Sequence, residues 1–331
     1  MSPLLLAGDI GGTKINLACF STEPLAPILE KTYWTADYDS LESLLSDFLG
    51  PRAGEVRAAC FGVAGPVKDG RVELTNVRWP AIDERTIRAH LGLDAVAVLN
   101  DMMAMAYGAL VLPAEKLFVL NPGSPDAVGN AALIAAGTGL GEALMHYDGK
   151  NWQPSPSEGG HTDFAPLSEI EIDLLRYLQN EFGHVSYERI LSGPGIYNIY
   201  RFLRDTGRGG EPAALAERFA REDPSAVISE LALAGKVPIC EQTLEIFVHL
   251  YGAEAGNMAL KGLATGGVFI GGGIAPKILP MLRRPPFMQG FRDKGRFCEL
   301  LEKIPVKVIL EPKAPLYGAA HYASLLLRPV G

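Results

Sequence analysis

An α/β protein of two domains is what this sequence predicts, from three observations. Strand-length apolar runs alternate with stripes of helical spacing along the chain. The 331 residues, 48% hydrophobic and 21% charged, suffice for two ordinary domains. One unit, an apolar run, a Gly/Thr-rich turn and a second apolar run, occurs twice: as LLLAGDIGGTKINLACF near the start and as AALIAAGTGLGEALMHY at 131–147.

The elements follow in order. Strands are expected at 4–8, 15–20, 56–63, 95–99, 131–136, 141–147, 267–271 and 305–310. Helices are expected at 40–49, where apolar residues stand at 41, 44, 45, 48 and 49, and at 167–182 and 240–263. Strand-like residues follow both glycine turns, so each repeated unit reads as a β-hairpin with a glycine-rich tip. The duplication suggests one hairpin from each domain facing a shared cleft. A hinge is expected near 109–117, where a helical stretch ends at Pro113. The domains are then 1–112 and 113–312, with 313–331 a C-terminal helix returning to the first. Residues 204–212 read as a surface loop, and RDKGRF (292–296 at its basic part) as a solvated patch.

The bulk charge narrows the function classes. A net charge of −8 without a basic stripe disfavours a nucleic-acid surface. MSPLLLAGDIGG has a short apolar run before an aspartate and no basic leader, so neither a signal peptide nor a membrane span is expected. Cys19, Cys60, Cys240 and Cys298 are far apart in largely apolar or amphipathic stretches. They read as buried thiols in a reducing compartment, without disulfides or a cysteine zinc site, which places the protein in the cytoplasm.

The first glycine turn, Gly8-Asp9-Ile10-Gly11-Gly12-Thr13-Lys14, matches neither common nucleotide loop. A dinucleotide fingerprint and a P-loop both open a helix, and a P-loop needs Lys-Thr where this chain has Thr-Lys. The turn still offers backbone N–H groups and the Thr13 hydroxyl to phosphate oxygens, with the Asp9 carboxylate at the end of the strand. A carboxylate beside phosphates calls for a cation between them, so Asp9 reads as a ligand of Mg2+, directly or through water. A turn that is glycine-rich for geometry alone is the alternative for any one such loop. Gly137, Thr138 and Gly139 in GTGLG form a second loop; Gly271, Gly272 and Gly273 follow a strand and are expected to open a helix close to a ligand.

Two polar clusters accompany the loops. Asn100 and Asp101 stand where a strand gives way to a helical pattern, as a helix cap or as reactive groups at the carboxyl end of a sheet. Glu158, His161 and Asp163 in PSEGGHTDFAP admit three readings: metal ligands, a plain polar loop, or sugar ligands. Sugar hydroxyls suit the inventory best, since a carboxylate accepts, a neutral imidazole does both and an Asn amide does both. His184, His249 and His321 lie in helical contexts and read as structural.

DIGGT, LND, GTGLG, EGGHTDFAP, ERILSGPG and GGVFIGGGI, in that order from residue 6 to about 320, resemble the bacterial glucokinase family. That family belongs to the sugar-kinase and actin-like ATPase superfamily, so the resemblance implies two ribonuclease-H-like domains around a central cleft. It implies ATP-dependent phosphorylation of the glucose 6-hydroxyl, the first step of glycolysis. Asp9, Gly11, Gly12 and Thr13 would form the phosphate-1 segment, Gly137, Thr138 and Gly139 the phosphate-2 segment, and Gly271 to Gly273 the adenosine segment. Asp101 would be the catalytic base; Asn100, Asp101, Glu158, His161 and Glu188 would hold glucose or a similar hexose. Glu188, in SYERILSGPG, is assigned by the resemblance alone, and Thr75 and Asn76 match a family Thr-Asn near the sugar. A homodimer is implied as well. The chain lacks the Cys-rich zinc motif of the related ROK proteins, so no structural zinc is expected, and no helix-turn-helix extension is expected before residue 4. Lys14 follows Thr13 where family members vary. The rival readings are a kinase for mannose or an N-acetylated amino sugar, and a non-catalytic sugar sensor or actin-like ATPase module.

Overall fold

A computed structural model describes residues 3–74 and 77–327, so Thr75 and Asn76 lie outside the described residues. The chain forms two compact units, Met1–Lys116 with Glu311–Gly331, and Leu117–Leu310.

The strands of the first unit are β1 (Leu4–Ile10), β2 (Lys14–Ser21), β3 (Pro27–Trp34), β4 (Val56–Val63), the short pair β5 (Arg71–Val72) and β6 (Ile82–Asp83), and β7 (Val96–Asn100). The main sheet runs β3-β2-β1-β4-β7. β1 is antiparallel to β2 and parallel to β4, and β4 is parallel to β7. Alternate residues of β1 serve opposite faces. Leu4 and Leu6 join Leu41, Leu44, Leu45, Phe48 and Leu49 of α1 (Leu41–Leu49), whose first turn is capped by Ser40. Leu5 and Ala7 join Leu316, Ala319, Ala320 and Ala323 of the C-terminal helix, Ala314–Leu326. Covered on both faces, β1 reads as one apolar run. α2 (Glu84–Leu91) and α3 (Asp101–Val111) flank β7. α3 lies unusually close to the C-terminal helix because Gly108 and Gly318 face backbone, where any side chain would collide with the carbonyls of Ala314 and Ala104.

The second unit repeats the plan. Its strands are β8 (Leu117–Asn121), β9 (Ala131–Ala136), β10 (Leu140–Tyr147), β11 (Trp152–Ser157), β12 (Gly267–Gly271) and β13 (Val306–Ile309), in the order β11-β10-β9-β12-β13-β8. Numbered within its own unit, each sheet runs 3-2-1-4-5, with strands 1 to 3 antiparallel and 4 and 5 parallel to 1; β8 adds an antiparallel edge. The helices are α4 (Glu169–Phe182), α5 (Gly193–Asp205), α6 (Ala213–Phe219), α7 (Pro224–Leu233), α8 (Pro238–Lys261), α9 (Leu279–Leu282), α10 (Pro285–Arg292) and α11 (Cys298–Glu302). α8 is the centre of the core, buried over most of its length, and Gly252 and Gly256 let the backbone of α10 settle against it at Phe287 and Phe291.

Both glycine hairpins form as expected, β1–β2 and β9–β10. The structure departs from the sequence reading at several places. β3, β8 and β11 were not foreseen: their solvent-facing residues and the prolines of β11 break the apolar pattern. Gly271 to Gly273 do not open a helix, because the chain passes through turns to Ile278 and α9 begins only at Leu279. Nor is the basic stretch at 292–296 simply solvated. The Arg292 Nε is buried without a hydrogen-bond partner among the described residues, and burial holds the Lys294 ammonium below its usual pKa. Cys19, Cys60 and Cys240 are buried free thiols, whereas Cys298 is half-buried. Among the described residues no helix is long and apolar enough to cross a membrane.

Candidate active site

In the first unit the expected residues gather at the carboxyl ends of β1 and β7. Asp9 stands opposite Asn16 in the hairpin register, and the Asn16 amide donates to Asp9 Oδ2 at 3.2 Å. Thr32 fixes that amide by donating to Asn16 Oδ1 at 2.8 Å. Burial raises the Asp9 pKa, the Asn16 bond opposes this, and the charge of Asp101 raises it further. Two carboxylates that feel each other in a partly desolvated place are a donor set suited to a hard cation.

The hairpin tip is braced from β3's end. Thr35 donates its hydroxyl to the Gly11 carbonyl at 3.0 Å and its N–H to the Thr13 carbonyl at 3.0 Å. Gly12 and Thr13 are exposed, and a Cβ on Gly12 would meet nothing within 4 Å. Lys14 is engaged with the aromatic face of Trp34, its Nζ 4.8 Å from the ring centroid.

Asn100 caps α3: its Oδ1 accepts from the Met102 N–H at 2.9 Å, while its Nδ2 donates to the Gly65 carbonyl at 3.0 Å. The cap reading of Asn100 is therefore realised, with its amide oriented at both ends. Asp101, the first residue of α3, accepts from the Met102 N–H at 2.9 Å at the positive end of the helix. α3 approaches β4 at Gly62, where a Cβ would be 2.7 Å from the Ala104 Cβ and 3.8 Å from the Asp101 Cα.

In the second unit, the segment after β11 is laced to the segment before α5. Tyr187 N donates to Thr162 O at 3.1 Å and Phe164 N to Val185 O at 3.0 Å. This lacing brings three expected sugar ligands together: His161 Nε2 is 3.9 Å from Glu158 Oε2, and His161 Nδ1 is 3.8 Å from Glu188 Oε1. The other oxygen of Glu188 accepts from the Leu140 N–H at 3.0 Å. Gly139 is what lets it in, since a Cβ there would collide with that carboxylate. Asp163 turns away to His184, 2.8 Å from its Nε2. Among the described residues no three His, Cys, Asp or Glu side chains form a metal site, so the metal reading of the Glu158–His161–Asp163 group fails.

The two glycine segments of this unit converge. Gly137 N donates to Gly139 O at 2.8 Å, and Gly193 N to Gly137 O at 2.8 Å. Gly272 has φ +81° and passes so near Ala136 that a side chain would strike its carbonyl, while Ile274 N donates to that carbonyl at 3.2 Å. Tyr251 of α8 clamps both: its hydroxyl accepts from Ala136 N at 3.1 Å and lies 3.2 Å from the Gly271 carbonyl and 3.3 Å from that of Ile134. Asn16, Thr35 and Tyr251 were missed in the sequence, where each is an ordinary strand, loop or helix residue; only register and packing reveal them.

The Glucokinase family model matches residues 6–326. The chain belongs to the glucokinase family. A glucokinase of Nostoc punctiforme is 42% identical over 340 residues, which cover 98% of this chain and 99% of the relative. The crystal structure of a glucokinase from an Antarctic psychrotroph superposes with a TM-score of 0.85 at 30% identity, covering 98% of this chain and 99% of that one. A Balamuthia mandrillaris glucokinase, crystallised with glucose, shares the fold at 22% identity and a TM-score of 0.78, over 97% of this chain and 93% of its own.

Proposed function

We propose that this chain transfers the γ-phosphoryl group of ATP to the 6-hydroxyl of glucose, giving glucose 6-phosphate and ADP. The observation that carries the reading is Glu188. One of its oxygens faces His161 in the hydroxyl-binding group and the other accepts from Leu140 in the glycine loop, so one side chain serves both sugar and phosphate recognition.

In this reading Glu158, His161, Glu188 and Asn100 fix the hexose by its hydroxyls. The three glycine segments hold ATP: Asp9, Gly11, Gly12 and Thr13, then Gly137, Thr138 and Gly139, then Gly271 to Gly273. The sugar oxygen forms a bond to the γ-phosphorus as the bond to the β-phosphate oxygen breaks, and Asp101 takes up the hydroxyl proton. A carboxylate is a weak base toward an alcohol, so its earlier service is to aim the nucleophile in a loose transition state. Asp9 would hold Mg2+, directly or through water, and the ion would supply charge neutralisation at the phosphates. The raised pKa of Asp9 beside Asp101 supports such a cation. The free buried cysteines support a cytoplasmic location at the entry of glycolysis; the homodimer rests on family resemblance.

The test is ADP release measured with ATP and Mg2+ against a panel of glucose, mannose and N-acetylated amino sugars. Release that depends on glucose is expected. Release independent of sugar makes the protein an ATPase, and preference for another hexose reassigns the acceptor.

A further inference from the structure

Glu142 follows the second glycine loop on β10 and plays no part in the reaction described above. It is only 3% exposed. Its Oε1 is buried and accepts no hydrogen bond among the described residues. Its Oε2 occupies the place that a Cβ on Gly159 would need, so the carboxyl group lies directly under the turn that carries Glu158 and His161. Glu142 pairs in register with Ser157, whose hydroxyl accepts from the Gly159 N–H at 2.9 Å.

A second carboxylate lies behind it. Glu254 of α8 is fully buried and is held by Asn257 at 2.8 Å and Lys261 at 3.2 Å. The Asn257 amide also donates to the Tyr187 hydroxyl at 3.0 Å, next to Glu188 in sequence. The Tyr187 hydroxyl also acts on Glu254, by a hydrogen bond and by charge. From α8 come Lys261 and Tyr251, and Lys294 acts on Glu254 from beyond α10. From β11 and its turn come Ser157, Gly159 and the exposed Glu158 and His161. Among the described residues the cation that acts on Glu142 is Lys261, and it is already bonded to Glu254.

A buried carboxylate with an unpartnered oxygen is costly when ionised and cheap when neutral. Burial, then the Glu254 charge, push Glu142 up to about 7, with Lys261 pulling the other way. Ionisation sets a charge that demands donors beneath a turn whose glycine leaves no room for a side chain there.

We infer that Glu142 is a positioning residue for the hexose: its neutral carboxyl seats the Glu158–His161 turn, and its ionised form unseats it. The inference rests on the sugar-binding role proposed for that turn. It predicts that glucose affinity weakens as pH rises through neutrality, chiefly in KM.

The experiment measures glucose affinity from pH 6 to 8.5 in two ways, as KM in the ADP assay and as calorimetric glucose binding without ATP. For the unaltered chain, affinity should fall by roughly tenfold, equivalent to about 1.4 kcal/mol of lost positioning. Glu142→Gln, always neutral, should keep the low-pH affinity throughout while kcat changes little. Glu254→Gln removes the like-charged neighbour and should move the inflection to lower pH. A flat profile in the unaltered chain, or an unchanged slope in both variants, overturns the inference. Absence of sugar-dependent ADP release alongside pH-dependent glucose binding would instead sink the kinase reading and leave this one standing.

Discussion

The duties proposed for Asp101 and Glu158 differ, and substitution tells them apart. Asp101→Asn keeps the α3 terminus intact and removes only the proton acceptor, so turnover should drop by about 10²–10⁴-fold with sugar affinity largely retained; near-normal turnover removes Asp101 from the mechanism. The Glu158 side chain is exposed. Glu158→Gln should therefore raise the glucose KM with little change in kcat or thermal stability, and an unchanged KM argues against its contact with sugar. Asn100 and Asp101 were legible because a strand-to-helix junction exposes its side chains. Glu188 was not, since a charged residue ahead of a helix looks like any other, and its proposed role rests on a bond to a loop 48 positions away. Glu142 was hidden for the opposite reason: in a hairpin of alternating residues it passes for one more outward side chain, and only the burial beneath Gly159 marks it.

At the level of elements, tight approaches decide where each piece sits. Gly160 packs on the Leu140 carbonyl with no room for a methyl group. Gly160→Ala should cost about 1–3 kcal/mol of stability and weaken glucose binding with it, and a variant as stable as the parent would show that the turn can move aside. The contact between α4 and α8 carries its own pH dependence. Burial alone would raise Glu171, but the bond from His249 and those from the Leu167 and Ser168 amides bring it down to about 2. The Glu171 bond raises His249 above its usual pKa against the effect of burial. A raised histidine contributes stability below about pH 6.5 and loses it as pH rises through the folded value. The melting temperature of the unaltered chain should thus decline from pH 6 to pH 8 more steeply than that of His249→Gln, and parallel profiles would contradict the pairing. Strands buried on both faces were legible as apolar runs. β3 and β11 were not, because edge strands with one wet face, and prolines in one of them, carry no such run. The turns after Gly271 escaped for a related reason: three glycines and a proline leave the local pattern undecided between helix and turn.

For the whole molecule, the doubled plan was readable from the two glycine hairpins, and the structure extends it to five strands in each main sheet. The repeat survives in backbone order because a glycine tip and its flanking strands are demanded by geometry, whereas the helices around each sheet only need to cover it. They differ freely: α1 and the C-terminal helix in one unit, a broad helical layer around α8 in the other.

β8 and β13 carry one more implication. The second unit starts at Leu117 and stops at Ile309 and Leu310, and in the register of these two strands Leu117 lies across from Ile309. A segment whose beginning and end are neighbours behaves as a graft and can be lifted out without tearing its sheet. Residues 117–310 made as a separate polypeptide should melt cooperatively; a molten or aggregated product would show that the remainder of the chain is required to shape it.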